Sequence, residues 1–132
     1  MIRIFKSRLM QDLLSDDELD DLVADFRLYK STGVVPDNFG RDVPYDHPFT
    51  LPLVRSEEVR HIHLGNTEQP LPLNRIQFYR TSDTHLVYCQ GASSNDAYLL
   101  MTILSTNGHD QAKSRDIMYR LGQMAEIFRN KY

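Results

Sequence analysis

Only one cysteine, Cys89, occurs among the 132 residues, so no internal disulfide can form. Its place inside the apolar run "LVYC" points to packing rather than redox chemistry. No apolar stretch approaches the roughly 20 residues that a membrane-spanning helix requires. The opening "MIRIFKSRLMQDLLSDDE" mixes charges with apolar residues and has neither the continuous apolar core nor the small-residue cleavage site of a secretory signal. A cytoplasmic protein without membrane contact is expected. Repeats, low-complexity tracts and linker-like boundaries are also absent, so residues 1–132 are expected to form one domain around one core. A hydrophobic fraction of 41% and a charged fraction of 25% suit an ordinary globular chain.

Positive charge is also scarce: the net charge is −3, which at first argues against a nucleic-acid binder. The average hides an asymmetry. Residues 1–58 hold seven Lys/Arg against twelve Asp/Glu, whereas residues 59–132 hold eight against six, together with four of the five histidines. The cationic potential therefore belongs to the second half.

What is present reads as alternating secondary structure. Ile2 and Ile4 in "MIRIFK" share one face, the period of a short strand. "SDDELDDLVADFRLYKSTG" predicts a helix, with Ser15 and Glu18 forming a capping box, Leu19, Leu22, Val23, Phe26 and Tyr29 at helical spacing, and Gly33 at the end. Residues 34–58 carry four prolines and several Asp/Asn turn residues, so a long irregular connection is expected. Phe39, Tyr45 and Phe49 would pack it down, and Arg41, Asp42 and His47 would serve loop structure. Strand signals return in "VRHIHLG", where Ile62 and Leu64 face one way and His61 and His63 the other. "RIQFYR", the turn "TSDT" and "HLVYCQG" then predict a hairpin, followed by the apolar strand "AYLLMTILS" in the sheet interior. The chain closes with an amphipathic helix carrying Ile117, Leu121, Met124 and Phe128 on one side and Arg115, Arg120, Arg129 and Lys131 on or near the others. The expected class is α+β: an N-terminal strand and helix, an antiparallel sheet of about four strands, and a C-terminal helix.

In the predicted hairpin, Arg80 and His85 oppose each other on one face. His109 follows the interior strand and converges on the same rim as His61, His63 and His85. Three readings compete for this cluster. A His-x-His strand is often only a solvated face. Alternatively, His61 and His63 with His85, His109 or Cys89 would offer zinc ligands, although no carboxylate completes a motif and an arginine facing His85 would repel a dication. The third reading is acid–base chemistry on a phosphodiester, since histidine titrates near neutrality and arginine holds phosphate through paired donors.

The stretches "IRIFK", "ELDDLVADF", "VPDNFGRD", "HIHL", "HLVYCQGA", "YLLMTIL" and "MAEIFR", taken in order, resemble the YafO family of bacterial toxins from type II toxin–antitoxin systems, which are ribosome-dependent mRNA interferases with a RelE-like fold. The resemblance implies a β-α-β-β-β-α plan. RelE-like toxins usually have two N-terminal helices, and the proline-rich stretch 34–58 departs from that pattern. Relatives commonly read "Arg-Leu-Val-Tyr" where this chain reads "HLVY", so His85 stands at an arginine position and Arg80 matches the basic residue before the turn.

The resemblance further implies a concave sheet face that binds mRNA in the ribosomal A site. Attack of a 2′-hydroxyl on the adjacent phosphate would cleave it, without metal or other cofactor. The roles implied are His63 or His61 as base, His85 or His109 as acid, and Arg80 as phosphate clamp. Lys113, Arg115, Arg120, Arg129, Lys131 and Tyr132 would contact RNA or the ribosome. The implied partners are a cognate antitoxin, the ribosome and mRNA, with DNA reached only through the antitoxin complex. A non-catalytic module that occludes a ribosome or partner is the alternative of a different class, and a small His-x-His metalloenzyme is a further competitor.

Overall fold

The structure is a computed structural model that describes residues 1–105, 111, 112 and 114–132. His109 and Lys113 lie outside these residues. The class is α+β, as expected, built on a five-stranded sheet. Strand β1 (Arg3–Lys6) leads into helices α1 (Arg8–Leu13) and α2 (Asp16–Thr32). These deliver the chain to β2 (Phe39–Pro44), followed by the short α3 (Pro52–Ser56) and β3 (Arg60–Leu64). After a one-turn 3-10 segment, Gln77–Tyr79, come β4 (His85–Gln90), β5 (Ala97–Leu104) and helix α4 (Arg115–Lys131).

The strand order is β1-β5-β4-β3-β2. Strands β2 to β5 form an antiparallel meander, and β1 closes the sheet by pairing parallel with β5, Arg3 opposite Ala97 and Lys6 opposite Leu100. The sheet is therefore mixed rather than purely antiparallel. Two helices separate β1 from β2 and carry the chain to the far edge, so the meander returns to β1 only at its end.

Two helices, not one, follow β1. Ser7 caps the first, its Oγ accepting from Met10 N at 3.0 Å, and Ser15 caps the second in a full capping box with Glu18. Leu14 between them is extended. Helix α1 is only six residues long and buries only Met10, too short to show a period in the sequence. Gly33 ends α2 in the left-handed region at φ 78°, the conformation that favours glycine.

The stretch 34–58 is more regular than its prolines suggest. It holds β2 and α3, and the prolines sit where they cost little: Pro44 closes an edge strand and Pro52 opens a helix. Conversely, "RIQFYR" is not a strand. The place beside β4 that it would fill is taken by β3, whose His63 pairs with His85. The segment instead lies against β2. Arg41 N donates to Arg80 O at 2.8 Å, and Gln77 Nε2 donates to Gly40 O and Tyr29 Oη at 2.9 and 3.0 Å. Gly40 is required here, because a β-carbon would collide with the Arg80 carbonyl.

Strand alternation divides the core in two. Met10, Leu19, Leu22 and Phe26 of α1 and α2 pack on Ile62, Leu86, Tyr88 and Leu100. Met118, Leu121, Ala125 and Phe128 of α4, with Val54 of α3, pack on Val59, Val87, Cys89, Leu99 and Met101 of the opposite face. On the α2 side the carboxylate of Asp42 accepts from Tyr88 Oη at 2.7 Å, Tyr29 Oη at 2.8 Å, Arg60 Nε at 3.2 Å and Lys30 Nζ at 3.4 Å. This one buried acid ties α2 to three strands, and burial lowers the pKa of Lys30 within the network. Among the described residues no helix is long and apolar enough to cross a membrane.

Candidate active site

The α4 face of the sheet changes character at one end. Val87 and Cys89 of β4 lie under apolar helix residues, but the next inward-facing position toward the strand start is His85. Its register partner on β3 is His63, and His61 lies two residues on, opposite Val87. Alternation and register alone therefore bring three imidazoles together. Their ring centroids are 4.5 Å apart for His63 and His85, 4.7 Å for His61 and His85, and 5.4 Å for His61 and His63. All three are buried, at 9%, 2% and 1% exposure for His61, His63 and His85.

Tyr45 completes the cluster. Its backbone N–H donates to Val59 O at 3.1 Å as the chain leaves β2. Its ring then lies on His61 at 4.0 Å between centroids and 14° between planes. Its hydroxyl is 3.5 Å from His85 Nδ1. Burial pushes the Tyr45 hydroxyl above the usual phenol range, so it stays a neutral O–H beside the imidazoles. Nothing in the spacing of Tyr45 marked it for this place, which follows from the pairing of β2 with β3.

One bond constrains the chemistry of His63: Ser82 N–H donates to its Nδ1 at 2.9 Å. A neutral imidazole whose Nδ1 lone pair is an acceptor carries its proton on Nε2, so His63 presents a donor N–H. The same bond bears on metal binding. Donor atoms of His61, His63 and His85 lie within 4.8 Å of one another, and neutral imidazoles of this kind suit zinc or copper. In that tautomer His63 has no lone pair to give, so a metal bound there would require the ring to give up its Ser82 bond or its Nε2 proton.

The remaining predicted residues are placed as follows. Arg80 does not oppose His85. Its guanidinium donates to the carbonyls of Arg75 at 2.8 Å and Leu73 at 3.4 Å, because the strand expected to carry it is a 3-10 turn. Arg115, Arg120 and Lys131 are exposed on α4. Arg129 faces inward and pairs with Glu58 at 2.9 Å and Glu57 at 3.9 Å. Tyr132 packs on Phe5 and Phe128, at 4.7 and 4.9 Å between ring centroids. Cys89 is fully buried, and its surroundings push the thiol up to about 12, in keeping with packing. A cavity of about 220 Å³ adjoins the cluster, lined by Tyr45, His47, Phe49, Leu51, Arg115 and Met118 among others. Arg115 and Tyr45 thus line the same cavity, whereas Arg80, expected opposite His85, does not reach the cluster.

Fold and site together define a small RelE-like α+β domain with a trihistidine cluster on its C-terminal helix face. The family model for "Toxin YafO, type II toxin-antitoxin system" matches residues 27–130. The "mRNA interferase toxin YafO" of Escherichia coli (strain K12) is 48% identical over 132 residues, covering 99% of this chain and 100% of that protein. No solved structure matches. The chain belongs to the YafO family of type II toxins.

Proposed function

We propose that this chain is an mRNA endoribonuclease that acts on messages held in the ribosomal A site and cleaves them by metal-independent acid–base catalysis. The observation that carries this reading is the apposition of His61, His63 and His85 within ring-centroid distances of 4.5 to 5.4 Å, in a chain whose relative is named an mRNA interferase. Cleavage by 2′-hydroxyl attack requires one group to accept the hydroxyl proton, another to protonate the leaving 5′-oxygen, and positive charge or N–H donors on the phosphorane. The Nε2–H of His63, on a neutral ring, suits a hydrogen bond to the phosphorane oxygens rather than release of the proton, which leaves the base to His61 or His85. His109, outside the described residues, keeps its expected share in the acid role. Arg115 takes over the phosphate contact first given to Arg80.

Dependence on the ribosome is supported by the loss of two of the expected RNA-binding cations to the fold. Arg80 and Arg129 are engaged within the fold, and a few exposed basic residues on α4 bind an RNA backbone weakly without help. The ribosome would supply the positioning that acid–base groups, contributing ~100- to 10,000-fold, do not. An antitoxin that covers the α4 face would silence the site, and only that complex would touch DNA.

The test is induced expression followed by mapping of cellular mRNA 5′ ends, with and without a block on translation. New ends that vanish under the block are expected. Arrest of translation with no new ends would instead favour a module that occludes the ribosome without cutting.

A further inference from the structure

We propose that the cavity between residues 45–51 and the start of α4 is a nucleobase subsite, holding one base of the RNA strand next to the scissile phosphate, with Arg115 on the adjoining phosphate. The proposal rests on the reading of the chain as an RNA-cleaving toxin and adds to it a place for the substrate. Its first support is position. Tyr45 lines the cavity and the same ring lies on His61 with its hydroxyl near His85, so an occupant is one aromatic ring away from the histidines.

Size and chemistry agree. At about 220 Å³ the cavity is smaller than the roughly 300–1,000 Å³ of pockets for drug-sized ligands, and suits a single flat ring system. Tyr45, Phe49, Leu51 and Met118 provide aromatic and apolar walls, and Arg115 provides the positive charge that a nucleotide needs and an apolar ligand does not.

The site is also pre-formed on its loop side. Arg55 Nη2 donates to the carbonyls of Asp46 and His47, both at 2.9 Å, and Thr50 N donates to His47 O at 2.8 Å. Phe49 N donates to His47 Nδ1 at 3.2 Å. This turn holds the Phe49 ring at the cavity rim while leaving it 86% exposed. An exposed aromatic on a rigid turn can stack on a base without paying to order the loop. The aromatic and apolar walls outnumber the hydroxyls of Tyr45, Thr50 and Ser114, and Ser114 Oγ also caps α4 by accepting from Ile117 N at 3.4 Å. The subsite should therefore hold a base by its face and discriminate little between bases.

The experiment uses the full chain and a 2′-O-methylated, uncleavable oligoribonucleotide carrying 5-iodouridine at successive positions, irradiated with and without ribosomes, digested with trypsin and read by mass spectrometry. The expected adduct lies on the fragment from Asp42 to Arg55, at Tyr45 or Phe49. Phe49→Ala should lower its yield about tenfold, the effect of losing one base–aromatic stack. Because Phe49 is exposed, that variant keeps its fold. Adducts confined to other fragments, no adduct in either setting, or an undiminished yield in Phe49→Ala would overturn the subsite. Cleavage of the unmethylated RNA is measured in parallel. Failure to cut sinks the nuclease reading, while the adduct judges the subsite independently.

Discussion

The backbone N–H of Ser82 donates to Nδ1 of His63 at 2.9 Å, and this bond determines which nitrogen of the ring keeps the proton. In 15N-detected spectra of the folded protein with its imidazoles neutral, His63 should be in the Nε2–H form. An Nδ1–H signal for His63 would remove the donor role assigned to it.

Alanine at His85 should reduce cleavage by ~100- to 10,000-fold, the usual range for a lost acid–base group, and alanine at His63 by ~100- to 1,000-fold, the range for a lost hydrogen-bond donor to the transition state. The double variant should lose little more than the worse single one, because groups that act as a unit are not additive. His63→Gln, which keeps an N–H donor, should retain more activity than His63→Ala. The measurement is cleavage of a ribosome-bound message under single-turnover conditions, with circular dichroism as a control on folding. Equal activity in Gln and Ala variants would count against donation by His63.

Arg115 and Arg129 should separate function from stability. Arg115→Gln, at an exposed position beside the cavity, should slow cleavage with the melting temperature unchanged. Arg129→Gln should leave the chemistry intact but lower stability by about 1–2 kcal/mol, because its pairing with exposed Glu58 is partly screened. Thermal melts and cleavage rates on the two variants test the assignment.

Asp42 and Tyr88 hold the opposite sheet face. Asp42→Ala leaves Lys30, Arg60 and two phenols without their shared acceptor, and should cost about 3–5 kcal/mol in denaturant unfolding. Tyr88→Phe removes one donor among four and should cost about 1–2 kcal/mol. Comparable losses from both would show that Asp42 is not the hub.

Alkaline pH should destabilise the fold. The Cys89 thiol is raised from 9.0 to about 12, and burial also raises Tyr29, Tyr45 and Tyr88. Between the unfolded and folded values the native state holds protons that the unfolded chain has released, so stability falls as pH rises. Stability should therefore hold up to about pH 9 and decline above it, by about 1.4 kcal/mol per pH unit for each such group. Native Cys89 should also resist iodoacetamide until the protein unfolds. Rapid labelling of folded protein at pH 8 would contradict its burial.

Much of this protein was legible in the chain itself. The capping box at Ser15 and Glu18, the 4, 3, 4 spacing of Leu121, Met124 and Phe128 after Ile117, and the apolar run of β5 are local signals, and local signals survive folding because they come from backbone geometry. Alternation likewise put His61 and His63 on one face. Which side chains meet across strands was not local. His63 faces His85 because β3, not "RIQFYR", pairs with β4, and Tyr45 reaches His61 because β2 leaves the sheet beside Val59. The short α1 and proline-bearing β2 are stabilised mainly by contacts with β5 and β3, respectively, so their own residues carry little sign of them. The sequence by itself determined the class, the helices and the identity of the chemical groups. Only the tertiary structure decided that Arg80 and Arg129 serve the fold, and that three imidazoles and a tyrosine share one end of the sheet, because strand register is a property of pairs of segments rather than of any one.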